Sequence, residues 1–450
     1  MKKRKFSTVL ISLTLAMSLA ACGGNGNNAP NATNKPADAN GKSEAEQVVL
    51  KLSTWQPNDK AKWDVIIPEF EKEHPGIKVE LDLLNEKGDS VAAMQKLDLM
   101  AASKDQLDII ELPYTNYAQR ADIGLLEPLT SFIDKEGYKY EEEYLVDTKV
   151  NDEIYALPSS MQRWFVLLNK DMLDEAGLPV PTDWTWKEFE DYAKQLTQGE
   201  GATKRYGAYL HNWPDYFQLQ LMSKSTDNTF LKADGTSNAS DPLFKANLEM
   251  MNRMMYEDKS ANMYEDIISQ KLAYRNQYFN GLTAMLPIGD WMVAESGGTD
   301  AIPASFVTAF APIPKAEGES KHYSPVQPTF MGVAAKSENK EAAYTFVRWY
   351  TTKGLEIGGR VFSGWANSDT NKLVDTIVAG AKDPSKIDVE SLKYTMENTN
   401  PGVAPVPAKY ADEAKNTVIP EAELYILGKQ DVDTTIANID KKIADIVKNN

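Results

Sequence analysis

The sequence is poor in cysteine, in basic charge and in long apolar runs. The chain of 450 residues contains one cysteine, which excludes an internal disulfide and any zinc site built from several thiolates. Acidic residues outnumber basic ones by 65 to 48, giving a net charge of -17, whereas a general nucleic-acid binder is expected to be basic. We therefore expect no nucleic-acid partner. A mean hydropathy of -0.44 and a single long apolar run exclude a bundle of membrane-spanning helices.

The sequence also lacks the common catalytic and cofactor-binding motifs. It has no nucleophile elbow of the G-x-S-x-G type, and neither of the glycine-rich loops that cradle phosphates. His74, His211 and His322 stand apart, and no histidine pair or aspartate-rich loop indicates a metal site. We therefore expect no metal and no cofactor. Carboxylate pairs are abundant in so acidic a chain, so a cell-surface glycoside hydrolase stays open as an alternative.

The amino terminus predicts a secreted, lipid-anchored protein. Residues 2–5 are basic, and the apolar run over residues 6–21 is too short for a comfortable membrane span, which is the layout of a signal peptide. The run ends in Leu-Ala-Ala-Cys-Gly, which resembles the bacterial lipobox, where the cysteine is lipidated and cleavage occurs just before it. We predict a signal peptide over 1–21, then a lipidated Cys22 with a flexible tether over 22–47. The alternative is a plain signal peptide with a chance cysteine.

From Val48 onward, the hydrophobic periodicity predicts alternating strands and helices. Strand-like runs at 48–55, 77–84 and 107–112 are separated by helical patterns, and this βαβαβ order is typical of a parallel sheet covered by helices. Residues 154–169 hold enough apolar residues for two strands around a proline. The predicted fold class is therefore α/β, with mixed sheets flanked by helices. We also predict that the strand at 77–84 buries one of its faces, and that residues 267–279 form one helix.

Aromatic residues that stand beside polar ones indicate a ligand-binding site. The chain has 9 tryptophans and 20 tyrosines, and several lie at strand ends or in loops, where α/β sheets bind ligands. Aromatic faces suit the C–H faces of sugar rings, while amides, carboxylates and guanidinium groups bond to hydroxyls. The mixture indicates a carbohydrate. The alternative for each aromatic is burial in the core, and we assign Trp63, Trp184, Trp186 and Trp349 to packing.

Six segments in order resemble the family 1 extracellular solute-binding proteins of ABC importers, which include the maltose-binding protein. The segments are 52–60, 107–126, 155–173, 284–291, 330–350 and 394–407. The resemblance implies the two-lobed type II fold of periplasmic binding proteins, with a ligand cleft at the hinge. Lobe 1 would comprise 48–157 and 330–390, and lobe 2 would comprise 160–327 and 392–450.

The same resemblance implies a receptor and not an enzyme. We expect a monomer that captures a carbohydrate, in particular an oligosaccharide, and delivers it to an ABC permease. It would act at the extracytoplasmic face of the bacterial cell membrane, of the Gram-positive type, through the anchor on Cys22. The open alternatives are the hydrolase and a receptor for a non-sugar solute such as a peptide, a polyamine or a metal.

The resemblance and the aromatic pattern together assign fifteen ligand-binding positions. Asp59 and Lys60 match a pair that bonds to sugar hydroxyls in the maltose-binding relatives. Gln162 falls where those relatives have a carboxylate, and Tyr216 and Trp291 fall at stacking positions. The remaining candidates are Trp55, Gln56, Tyr114, Thr115, Arg163, Trp164, Trp213, Asp215, Asp290 and Tyr410.

The sequence departs from the maltose-binding pattern at several of these positions. Leu112, Thr115 and Asn116 stand where that pattern has tryptophan, aspartate and arginine, which puts maltose itself in doubt. Arg163 and Trp164 add a polar residue followed by an aromatic residue to that pattern. An anionic sugar stays open as a ligand, because Arg163 could pair with a carboxylate.

Overall fold

The computed structural model of the protein describes residues 47–404 and 408–450, apart from the side chains of Asp59 and Ala202. The predicted signal peptide, Cys22 and all but the last residue of the predicted tether lie outside the described residues. In the described part of the chain, no helix is both long and apolar enough to cross a membrane.

The described chain alternates between strands and helices. The strands are β1 (Val48–Thr54), β2 (Ile77–Leu83), β3 (Ile109–Pro113), β4 (Lys149–Val150), β5 (Glu153–Ile154), β6 (Ala156–Asn169), β7 (Tyr206–Ala208), β8 (Thr283–Gly289), β9 (Thr308–Pro312), β10 (His322–Ser324), β11 (Val326–Val333) and β12 (Thr399–Pro401). The α-helices are α1 (Asn58–Ala61), α2 (Trp63–Glu73), α3 (Ser90–Ser103), α4 (Tyr114–Asp122), α5 (Thr130–Glu136), α6 (Tyr140–Glu143), α7 (Lys170–Ala176), α8 (Trp186–Leu196), α9 (Leu219–Met222), α10 (Pro242–Asn252), α11 (Tyr264–Ser269), α12 (Tyr274–Phe279), α13 (Lys340–Trp349), α14 (Leu355–Gly358), α15 (Thr370–Ala379), α16 (Val389–Asn398), α17 (Ala411–Ile426) and α18 (Val432–Asn449).

One mixed sheet of eight strands organises the fold. Its order is β2-β1-β3-β11-β6-β8-β7, and β9 pairs with β6 on the side opposite β8. Strands β1, β2 and β3 are parallel, as the βαβαβ pattern predicts, while β11 is antiparallel to both β3 and β6. Strand β11 thus joins the sheet about 200 residues after β3 in the sequence, a pairing that local periodicity does not reveal.

Strand β6 changes its partners halfway along its length. Residues 156–163 pair with β11, whereas residues 164–169 lie between β8 and β9. We call β1, β2, β3, β11 and residues 156–163 the first sheet section, and residues 164–169 with β7, β8 and β9 the second sheet section. The switch point lies between Arg163 and Trp164.

Local sequence explains why several helices begin and end where they do. Helix α8 begins with a capping box, in which Thr185 and Glu188 bond to each other's backbone N–H groups. Helix α2 buries Trp63, Ile66 and Phe70 on one face, as predicted from their spacing, and continues through Pro68.

Three finer expectations need correction. The apolar run at 154–169 forms the single strand β6, because a register shift opposite Pro158 accommodates the proline. The predicted helix over 267–279 is instead the pair α11 and α12, separated at Lys271, whose φ of 51° is left-handed. The predicted buried face of β2 is reduced to Val79, because β2 is the edge strand of its sheet.

The core extends over both sheet sections. The four tryptophans assigned to packing, Trp63, Trp184, Trp186 and Trp349, are all buried in it. Strand β8 is buried along its whole length, and β6 is buried everywhere except at Gln162 and Arg163. The second core cluster lies on the first section, around Met94, Leu97 and Tyr117. The sheet is therefore covered on both faces, and its interior reaches solvent at the switch point in β6.

Candidate functional site

Strand register brings the carboxyl ends of strands from both sections to the switch point in β6. Strands β1 and β3 are parallel, and the end of β3 at Pro113 lies opposite Thr329, the fourth residue of β11. In turn, Gln327 of β11 faces Gln162 of β6, and Gly289 at the end of β8 faces Trp164. Strand β7 runs parallel to β8, so the chain after it reaches the same edge. Residues that follow these strands therefore converge, as ligand sites do in α/β folds.

Three tryptophans form an aromatic wall on the second section. Trp164 and Trp291 meet edge to face, with ring centroids 5.9 Å apart, and Trp213 lies 6.4 Å from Trp291. Trp213 and Trp291 are partly exposed, whereas Trp164 is buried. Tyr216 lies behind Trp164 and is fully buried, with its hydroxyl donating to the carbonyl of Pro287 at 2.6 Å. The wall thus has an exposed layer and a buried supporting layer.

Gly289 determines where the exposed ring of Trp291 lies. The glycine ends β8, and a Cβ atom at this position would overlap the six-membered ring of Trp291. The indole therefore packs directly on the backbone of β8. This close approach holds the Trp291 ring beside Trp164 through packing on β8.

A polar network lies next to the aromatic wall. The Gln327 amide donates to Asp215 Oδ1 at 2.6 Å, and Trp164 Nε1 donates to Gln327 Oε1 at 3.1 Å. Lys415 Nζ of α17 lies 3.7 Å from Asp215 Oδ2. Burial raises the pKa of Tyr114, at the end of β3, and Lys415 opposes this shift. The network thus links residues from the first section, the second section and the carboxyl-terminal helices.

On the first section, a buried carboxyl group holds the predicted site residue Gln56. Glu111 in β3 is fully buried and accepts hydrogen bonds from the Thr54 hydroxyl and the Gln56 amide. The Gln56 carbonyl in turn accepts a bond from Trp63 Nε1 at 2.9 Å. Burial raises the pKa of Glu111 to about 7, although both hydrogen bonds lower it.

On the second section, a buried carboxyl group lies beside Arg163. Asp290 follows β8 and is fully buried; its Oδ2 accepts a bond from the backbone N–H of Arg163 at 3.1 Å, while Oδ1 has no partner. Burial raises the pKa of Asp290 to about 7. At neutral pH, this carboxyl group is therefore only partly ionised.

His211 adds a neutral imidazole to the aromatic wall. Its ring packs on Trp213 at 4.8 Å between centroids, and burial lowers its pKa to about 4. The Tyr209 hydroxyl donates its one hydrogen to the carbonyl of Leu272, so the bond between Tyr209 and His211 Nδ1 requires the hydrogen to be on Nδ1. His211 Nε2 is then an acceptor. The sequence placed this residue only in a polar or turn-like setting.

The remaining predicted residues are not part of the aromatic wall or of the polar network beside it. Thr115 is buried in the first turn of α4, and Trp55 is partly buried after β1. Lys60 is exposed on α1, and the Asp59 side chain lies outside the described part of the structure. Tyr410 donates to the carbonyl of Gly235 at 3.0 Å, so it joins a separate loop and not the aromatic wall.

Four residues of the site were missed at the sequence level, namely Glu111, His211, Gln327 and Lys415. One signal for Gln327 was available, since it is a long polar residue in a largely apolar strand that is buried elsewhere along its length. Lys415 carried no local signal, because its partner Asp215 lies 200 residues earlier.

A cavity of about 990 Å³ lies away from this site. It is lined by residues that precede β3, such as Leu107 and Asp108, and by residues that follow β11, such as Ala334 and Ser337. Because β3 and β11 are antiparallel, this places the cavity at the other end of the first section, and it includes none of the predicted site residues. In the residues described, no cluster of three His, Cys, Asp or Glu side chains could hold a metal ion.

Known proteins are similar to this chain in sequence and in fold. It is 23% identical over 329 residues to the multiple sugar-binding protein of Streptococcus mutans, which covers 69% of this chain and 72% of that protein. An ABC substrate-binding protein of Listeria monocytogenes, solved in complex with cycloalternan, superposes with a TM-score of 0.72 at 20% identity, covering 89% of this chain and 98% of that one. The sugar-binding protein MalE of Xanthomonas citri gives 0.67 at 18% identity, covering 89% and 98%.

These likenesses confirm the predicted α/β class, with mixed sheet and flanking helices. The sequence profile of the bacterial extracellular solute-binding proteins matches residues 54–356, which is more than half of the chain. It begins at the end of β1 and ends in α14, so it spans the switch point and the aromatic wall. The match confirms the predicted family and the prediction of a binding protein rather than an enzyme. The chain is a member of the bacterial extracellular solute-binding protein family.

Proposed function

We propose that this solute-binding protein is a lipid-anchored receptor that captures a carbohydrate, in particular an oligosaccharide, and delivers it to an ABC permease. The binding site is the edge at the β6 switch point, and the protein acts as a single copy. The observation that carries the proposal is the convergence of Trp213, Trp291 and the Asp215–Gln327 network at that edge.

The chemistry of this edge suits a sugar better than an apolar ligand or a metal. Two partly exposed indoles offer flat apolar faces to pyranose C–H groups. Next to them, Asp215 offers acceptor oxygens, and Gln162 and Lys415 offer donors for hydroxyl groups. The names of the sugar-binding relatives support the same ligand class.

The two sheet sections suggest how the receptor closes. We assign residues 48–157 and 330–390 to one lobe, and residues 160–327 and 392–450 to the other. Strand β6 passes from one lobe to the other at residues 158–159, a few residues before the switch point, and ligand would favour the closed arrangement by contacting both lobes. Gln56 and Tyr114 would supply the contacts from the first lobe, and Trp291 and Asp215 those from the second.

Isothermal titration calorimetry with a panel of neutral and acidic saccharides and polyols tests the ligand class. We expect at least one saccharide to bind with one-to-one stoichiometry, and Trp291→Ala to weaken it by about 1–3 kcal/mol, as aromatic stacking on nucleic-acid bases does. Tyr206→Ala is the matched control, since Tyr206 is a partly buried aromatic at the far end of β7. Tight binding of a peptide or polyamine, with no saccharide bound, would refute the carbohydrate proposal.

The lipid anchor needs its own experiment. Cells that express the full chain are fed an alkyne fatty acid, and label is measured on the wild-type protein and on Cys22→Ser. The variant lacks the only thiol in the chain, so we expect it to be unlabelled and to leave the membrane fraction. Equal labelling of the two proteins would exclude Cys22 as the attachment point.

A further inference from the structure

His211 lies beside the aromatic wall of the proposed site. It is the third residue after β7, and the chain that follows β7 reaches the same edge as the end of β8. Its ring packs edge to face against Trp213, with centroids 4.8 Å apart, and Trp213 is one of the two partly exposed indoles of the wall. His211 is itself partly exposed. A ligand that contacts the Trp213 ring would therefore lie next to the imidazole.

A second layer of residues fixes the hydrogen on this imidazole. The carbonyl of Leu272 can only accept, so it takes the single hydrogen of the Tyr209 hydroxyl at 2.9 Å. The Tyr209 oxygen then accepts from His211 Nδ1, which lies 2.9 Å away. Burial lowers the pKa of His211 to about 4, so at neutral pH the ring carries one hydrogen only. That hydrogen is on Nδ1 and is bonded to the fully buried Tyr209.

The other ring nitrogen of His211, Nε2, is open to a ligand. It has no hydrogen-bond partner among the described residues, and it is not one of the buried polar atoms that lack a partner, so solvent reaches it. The two nitrogens point to opposite sides of the ring, so Nε2 points away from Tyr209. A neutral nitrogen without a hydrogen can only accept. It would therefore bind a hydroxyl group only where that hydroxyl donates.

We propose that His211 Nε2 accepts a hydrogen bond from one hydroxyl group of the carbohydrate, and that Tyr209 is the positioning residue that keeps this nitrogen free of hydrogen. The inference rests on the proposed function and adds a specificity-determining residue to it. A sugar with an ether, a hydrogen or a fluorine at that position would leave Nε2 without its partner, which costs affinity. His211 would thus select for a free hydroxyl at one position of the ligand.

Nuclear magnetic resonance measures the tautomer directly. The full chain is labelled with nitrogen-15 in its three histidines, and long-range correlation of ring protons with ring nitrogens shows which nitrogen carries the hydrogen. The signals that disappear in His211→Phe belong to His211. We expect a neutral ring at neutral pH with the hydrogen on Nδ1. A hydrogen on Nε2, or a charged ring, would overturn the inference.

Calorimetric titration tests whether the free nitrogen contacts the sugar. The probes are maltotriose, raffinose, cellotriose and xylotriose, followed by the monodeoxyfluoro derivatives of the one that binds most tightly. Fluorine cannot donate a hydrogen bond, so we expect one derivative to bind the wild type about tenfold more weakly. In His211→Phe that derivative and its parent should bind equally, because the contact is already lost. A purely structural role of His211 would leave the penalty of each derivative unchanged in the variant.

Tyr209→Phe tests the positioning role. Without the hydroxyl, the hydrogen can move from Nδ1 to Nε2, so we expect the Nε2–H signal to grow and the affinity for the same trisaccharide to fall about threefold. The substitution should cost nothing further in His211→Phe. Tyr140→Phe is the matched control, since the Tyr140 hydroxyl also donates to a backbone carbonyl, that of Val146 at 2.8 Å, and lies in α6. His74→Phe, after the end of α2, is the control for the loss of an imidazole.

The outcomes separate this inference from the proposed function. Wild-type affinity in His211→Phe, or the same loss for every derivative in both proteins, would overturn the inference alone, because a saccharide would still bind. Thermal unfolding of each variant distinguishes a loss of contact from a loss of fold. If none of these probes and no saccharide of the wider panel binds, the proposed function fails and the inference fails with it.

Discussion

The two sheet sections each contain one buried carboxyl group near the site, and the two groups differ in how they are bonded. On the first section, both oxygens of Glu111 accept hydrogen bonds from side chains, those of Thr54 and Gln56. On the second section, Asp290 has one oxygen on a backbone N–H group and the other without a partner. Burial raises the pKa of both to about 7. Glu111 therefore positions a neighbouring residue, whereas Asp290 retains a buried oxygen whose hydrogen-bonding capacity is unused.

Truncation of the two carboxyl groups should reveal this difference most strongly. Glu111→Ala leaves two buried donors without an acceptor and opens a cavity, so we expect a loss of about 4 kcal/mol in the free energy of unfolding. Asp290→Ala removes one acceptor and should cost about 2 kcal/mol. Urea denaturation of both variants measures the two losses. Equal losses, or a larger one for Asp290→Ala, would mean that Glu111 is not the structural member of the pair.

The pH dependence of stability should show the burial of Glu111. Its pKa is raised from 4.5 to about 7, so the folded protein keeps a proton that the unfolded chain releases. This contribution to stability is present below pH 4.5 and is lost as the pH rises towards 7, by about 3 kcal/mol. Glu111→Gln cannot titrate, so the difference between wild type and variant should change by that amount across the window. A difference that is constant with pH would show that Glu111 titrates normally.

Gly289→Ala perturbs the second section alone. The new Cβ atom would displace the ring of Trp291, and we expect saccharide affinity to fall about tenfold, or 1.4 kcal/mol. Gly76→Ala, in the turn just before β2, is the control, because no atom lies within 4 Å of a Cβ at that position. Calorimetric titration of both variants measures the effect. Unchanged affinity in Gly289→Ala would place the ligand away from Trp291.

The sequence could predict those parts of the site that depend on local pattern. Trp291 and Trp164 were recognised because they stand beside polar residues at strand ends, and four core tryptophans were recognised by their helical setting. The same pattern does not show that Trp213 is partly exposed and Tyr216 buried. Both stand in one short turn, which presents the Trp213 ring to solvent and buries that of Tyr216.

Other parts of the site depend on register and could not be predicted. Gln327 meets Asp215, and Lys415 meets Asp215 as well, only after strands and helices from distant segments have paired. Likewise, the break between α11 and α12 depends on the left-handed backbone of Lys271, a residue type that does not favour this conformation. Long-range pairing thus determines which polar residues share the site, while local pattern determines which aromatic residues are available.

The place of β11 in the sheet has a consequence for how the chain acquires its structure. This central strand, residues 326–333, must be available before β3 and β6 can be joined. Until roughly the first three quarters of the chain has been synthesised, the sheet therefore has a gap at its centre, and such non-local pairing is slow to form. We expect a chain that completes its sheet late to stay unfolded for longer. For the signal peptide and lipid anchor proposed above, this delay would leave time for the chain to be exported before it folds.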